Sequence, residues 1–137
     1  MFAYNLDHVA IAVRDLDEAL GEYKRLYGSE PLYRELVPAQ GVEEAMVAVG
    51  GSFIQLLQPL SPDSPVGRFL SRRGEGLHHV ALAVADIDSA LEHLRSEGAD
   101  LVDDEPVVLQ MEKDDLVDGL QDVISKLEDI LVPRDIK

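Results

Sequence analysis

Two histidines, His8 and His79, occupy the same position of a repeated sequence. Residues 6–20 read LDHVAIAVRDLDEAL and residues 77–91 read LHHVALAVADIDSAL; at a constant offset of 71, ten of fifteen positions are identical. Chance would give about one identity, so the chain carries an internal duplication. Each histidine shares strand parity with two alanines: Ala10 and Ala12 in the first copy, Ala81 and Ala83 in the second. Val9, Ile11 and Val13, like Val80, Leu82 and Val84, take the opposite parity. Alternate residues of a strand share a face, so the bulky face is expected under a helix and the alanine face is expected to leave room for a cavity. Two imidazoles presented there by repeat-related strands suit a metal ion, since histidine is the commonest metal ligand. A copied core histidine is the alternative. His78 has the opposite parity and reads as structural; His93 falls in a helical pattern and reads as exposed.

Gln55 interrupts the apolar run FIQLL, on the parity of Phe53 and Leu57. An amide placed there needs a partner, either as an oxygen ligand or as a satisfied core amide. Glu44 shares its parity with Val42, Met46 and Ala48. A carboxylate on so apolar a face is expected to hold its proton more tightly than usual, which suits a general base. An exposed strand edge is the alternative.

The elements that must position these side chains follow from local pattern. Each copy opens with a strand. Asp15 and Asp86 stand where helix N-caps are needed, ahead of the apolar stripes Leu16, Ala19, Leu20, Tyr23 and Ile87, Ala90, Leu91, Leu94. Gly28 and Gly98 end these helices. Strands are expected near 31–37, 42–49 and 52–58, with Gly50-Gly51 as a hairpin turn. A linker rich in proline and serine follows, then a short helix near 66–72. The second copy begins alike, with a strand near 100–103 and a possible one near 107–111. It then departs: Leu116, Leu120, Val123, Ile124, Leu127, Ile130 and Leu131 recur at helical spacing, so 114–132 reads as an amphipathic helix stopped by Pro133. The fold class is α+β, built from paired βαβββ modules with the second incomplete and followed by that helix. In one domain, module one spans 4–58, the linker 59–75, module two 76–111 and the divergent tail 112–137.

Hydrophobic residues make up 46% of the 137 residues, enough for a core. No apolar run approaches the roughly 20 residues of a membrane span, and no membrane partner is expected. The absence of cysteine excludes disulfides and thiolate metal sites. With no basic region and apolar stretch at the N-terminus, a cytoplasmic location is expected. A formal net charge of -15 repels nucleic acid. It also means that an anionic substrate needs local positive charge, from a metal or from clustered arginine and lysine.

The stretches LDHVAIAV, PAQGVEEAM, FIQLLQPLSPDSPVGRFL and GEGLHHVALAV resemble methylmalonyl-CoA epimerases of the vicinal oxygen chelate (glyoxalase–bleomycin resistance) superfamily. The likeness covers residues 5–106. It implies paired βαβββ modules, a homodimer, an acyl-CoA substrate and a divalent metal such as cobalt or manganese. It further implies His8, Gln55 and His79 as metal ligands and Glu44 as catalytic base. The family's fourth ligand is a glutamate on the last strand of module two. The repeat places Lys126 there. Glu112, Asp114, Glu128 or water are the substitutes left open. The activity implied is inversion at the carbon alpha to a CoA thioester. Two other readings stay open: a non-catalytic scaffold that has lost the fourth ligand, and another metal enzyme of the superfamily, of lactoylglutathione lyase or dioxygenase type. Gln55 in place of a carboxylate argues against the 2-His-1-carboxylate iron site of the latter.

Overall fold

The structure, a computed structural model, describes residues 3–102. The readings for 103–137, including the helix at 114–132 and the substitutes for the fourth ligand, lie outside the described residues. The elements run β1 (Ala3–Ala12), α1 (Leu16–Tyr27), β2 (Tyr33–Val37), a 3-10 turn (Pro38–Gln40), β3 (Val42–Val49), β4 (Ser52–Pro59), α2 (Pro65–Arg73), β5 (Gly76–Val84) and α3 (Ile87–Ser96). The hydrogen-bonded strand order is β2-β3-β4-β1-β5. By compactness the chain divides into one unit of residues 8–78 and another of residues 1–7 with 79–137.

In the unit of residues 8–78, β1 runs parallel to β4, while β3 is antiparallel to both β4 and β2. Gly50 and Gly51 close the β3–β4 hairpin between the paired Val49 and Ser52, and Gly50 takes the left-handed φ of 57° that the turn requires. α1 starts where the Asp15 carboxylate accepts the Glu18 N–H at 2.9 Å and stops at Gly28, φ 67°. Its Leu16, with Ala19, Leu20 and Tyr23, packs on Ile11, Val13, Ala45, Ile54 and Leu56. The bulky sheet face is thus covered by a helix, as alternation requires.

The alanine face differs from expectation at one end. There α2 lays Val66 and Leu70 on Ala10, Ala12, Val42 and Leu57. The small side chains make room for a helix rather than for a void, because burying those two apolar side chains is favourable. α2 is fixed by the Ser64 hydroxyl, which accepts the Gly67 N–H at 3.1 Å.

The other unit contains α3, capped by Asp86, which accepts the Ser89 N–H at 3.1 Å. Ala90 and Leu91 pack with Val84, supported by Ile87, Leu94 and Leu101. Gly98 is left-handed at φ 76°, but the helix cap itself is Glu97. The strand expected near 100–103 does not form over 100–102. A strand needs a ladder partner, and no described strand pairs with these residues; Leu101 instead joins the apolar cluster under α3.

Candidate functional site

Strand register places the expected site residues of the first unit on one face. Ala10 of β1 pairs with Gln55 of β4, and His8 pairs with Phe53. Met46 of β3 pairs with Gln55, and Glu44 pairs with Leu57. Partners across a ladder point the same way, so His8, Gln55 and Glu44 share the face of Ala10, Ala12, Phe53, Leu57 and Met46. Strand spacing and rise put the α carbons of His8 and Gln55 about 8 Å apart on the diagonal. At the Val42 end this face is covered by α2. At the opposite end Ala48 is exposed.

All three side chains are buried: His8 is 0% exposed, Gln55 2% and Glu44 7%. Glu44 is therefore no exposed edge, since β3 is flanked by β2 and β4. The Gln55 Nε2 donates a short hydrogen bond to Oε2 of Glu44. That bond supports the carboxylate against the cost of burying its charge. It also fixes the amide orientation and leaves Gln55 Oε1 buried with no hydrogen-bond partner. A buried carbonyl oxygen without a donor is uncommon in a folded protein and costs about 1–3 kcal/mol. Gln55 is thus a half-satisfied amide, neither of the two alternatives in full.

His79 lies in the other unit. It is buried, as are Ala81 and Ala83 on the same parity of β5, while Val80 and Leu82 are half-buried. Its place in its own strand repeats that of His8. His78 stacks edge-to-face on Phe69 of α2 with centroids 4.9 Å apart, which fits a structural role. His93 is exposed on α3. Among the described residues no three His, Cys, Asp or Glu side chains gather as a metal site. Among the described residues, Gln55 Oε1 is a further oxygen donor on this face beside His8 and Glu44. A buried imidazole and an unpartnered amide oxygen on one face are donors that suit a divalent ion of intermediate hardness, so the residues fit the group that the resemblance implies.

Three functional candidates escaped the sequence reading: Arg68, Arg72 and Arg73 on α2. Their signal was available, since three of the chain's twelve basic residues fall within six positions of a strongly acidic sequence.

Comparison with known proteins defines the class. Residues 7–115 match the Glyoxalase/Bleomycin resistance protein/Dioxygenase superfamily, and the chain belongs to it. Within that superfamily it is similar to methylmalonyl-CoA epimerases. It is 37% identical to the ethylmalonyl-CoA/methylmalonyl-CoA epimerase of Cereibacter sphaeroides over 69% of this chain and 71% of that protein. It is also 37% identical to the human mitochondrial methylmalonyl-CoA epimerase, over 67% of this chain and little more than half, 53%, of that protein. A solved Streptomyces coelicolor methylmalonyl-CoA epimerase variant, in complex with 2-nitronate-propionyl-CoA, superposes with a TM-score of 0.75 at 38% identity, covering 80% of each chain.

Proposed function

We propose that this protein inverts the carbon between the thioester and the carboxylate of a methylmalonyl-CoA-type substrate. The observation that supports this reading most is the buried Glu44 carboxylate, bonded by Gln55, on the face that also carries His8. It stands in a chain whose relatives are epimerases of such substrates. The C–H to be broken is weakly acidic, so the reaction needs a positioned base and a way to stabilise the enolate. Glu44 takes the proton from one face of the carbon. The electron pair spreads onto the thioester oxygen, and a proton is returned to the opposite face. Gln55 holds the Glu44 carboxylate in place through its N–H while its Oε1 remains available on the same face. We propose His8, Gln55 and His79 as the ligands of a divalent ion, His79 on the strength of the repeat and the family resemblance. Such an ion supplies positive charge that lowers the energy of the enolate and offsets the acidity of the chain. A homodimer acting in the cytoplasm completes the proposal.

The test is an epimerisation assay on methylmalonyl-CoA of one configuration in heavy water, with divalent ion added. Deuterium should enter the alpha carbon as configuration is lost. A protein that leaves both the alpha hydrogen and the configuration intact under every divalent ion tried would refute the proposal.

A further inference from the structure

The described residues contain eight Lys and Arg side chains, and their partners sort them sharply. Arg14 pairs with Glu75, Lys24 with Glu30, Arg25 with Glu22, and Arg34 with both Asp17 and Glu43. Arg95 is also engaged. Among the described residues Arg68, Arg72 and Arg73, all exposed and all on α2, form no ion pair with a described carboxylate. The chain has a net charge of -15, with carboxylates outnumbering cations by 27 to 12, and yet α2 carries three arginines within six positions.

Helix geometry puts Arg68 and Arg72 on one surface, with Arg73 about 100° further round at the helix end. Arg68 and Arg72 are spaced i, i+4 and so stand one above the other. The Arg73 guanidinium lies 5.9 Å from the centroid of the Phe69 ring, which holds it on the same helix. Val66 and Leu70 anchor the opposite side of α2 on the face that carries His8, Gln55 and Glu44. The helix dipole favours Arg72 and Arg73 in the last turn, but it gives no reason for Arg68, a full turn earlier.

We propose that Arg68, Arg72 and Arg73 form the subsite for the phosphate groups of the coenzyme A substrate. The inference rests on the acyl-CoA reading above. An acyl-CoA carries its reacting carbon and its phosphates at opposite ends of a long flexible arm. Phosphates must then dock away from the buried carboxylate, on an element that borders the same face, and α2 is that element. Guanidinium groups suit phosphate because their planar fork offers paired donors. The arm and the reacting end take no part in these contacts, so the arginines set affinity rather than the rate of proton transfer.

The experiment compares wild type with R68Q/R72Q on two substrates, methylmalonyl-CoA and the methylmalonyl thioester of pantetheine, which lacks the nucleotide and its phosphates. Calorimetric titration with free coenzyme A runs in parallel. The double variant should raise KM for the CoA substrate and weaken coenzyme A binding about tenfold, as expected for two exposed charge contacts. Its kcat should not change, and KM for the pantetheine thioester should stay at the wild-type value. Equal losses on both substrates would overturn the proposal by showing that α2 acts through the fold. Unchanged coenzyme A binding in the variant would overturn it while leaving the acyl-CoA reading intact. A wild type that neither binds coenzyme A nor turns over either thioester would overturn both.

Discussion

At the scale of single residues the unit of residues 8–78 holds a buried pair, Gln55 and Glu44, whose polar atoms do not balance among the described residues. Glu44 gains a donor, whereas Gln55 Oε1 has none. If Glu44 is the base, Glu44→Gln keeps its volume and removes the proton acceptor, and turnover should fall about 100-fold or more; undiminished turnover would make Glu44 structural. Gln55→Glu tests the oxygen. It sets a second carboxylate beside Glu44 in a buried place, where like charges destabilise each other. With chelator present the variant should melt below wild type, and a divalent ion should raise its melting temperature more than it raises that of wild type. Equal shifts in the two proteins would place no cation at position 55. The faces of these residues were legible from parity, but the burial of Glu44 was not, because parity does not say whether β3 lies at an edge or between two strands. The orphaned oxygen was not, because it depends on which way the amide turns toward a neighbour eleven residues away.

At the scale of elements the least replaceable contact is the seat of α2. A β carbon built on Gly67 would meet the Pro62 carbonyl oxygen at 2.6 Å and would crowd that of Ser61 as well, both of them backbone. Backbone cannot step aside cheaply, so Gly67→Ala should destabilise by about 1–3 kcal/mol in denaturant unfolding. Gly21, inside α1, has nothing within 4 Å of the same added carbon. There the alanine should stabilise by about 0.5–1 kcal/mol, through better helix propensity and a less mobile unfolded chain. Two identical substitutions with the same sign of effect would show that α2 is not seated as described. Caps, the glycine hairpin and alternation made the strands and helices readable in the sequence, since each is a local rule. The packing of α2 over Ala10 and Ala12 was not readable, because small residues signal room without saying what fills it. Over 100–102 the expected strand does not form, and none of the described strands offers those residues a ladder partner.

At the scale of the whole molecule the charge makes a sharp demand. A net charge of -15 repels a polyanionic substrate at long range, whereas the α2 arginines attract it only where they touch it. Salt screens both, with a Debye length of about 10 Å at 0.1 M and about 3 Å at 1 M. The sign of the salt effect therefore reports which field the substrate feels when bound. If local attraction dominates, KM for methylmalonyl-CoA rises steadily as salt is added to wild type, because docking loses strength. In R68Q/R72Q most of that attraction is gone and the repulsion remains, so added salt should leave KM flat or lower it. The pantetheine thioester, without phosphates, should respond weakly in both proteins. Steady-state kinetics across that range of salt, at fixed divalent ion, gives the three slopes. A wild-type KM that fell with salt would mean that the acidic surface governs the encounter and that α2 offers the substrate no compensating charge.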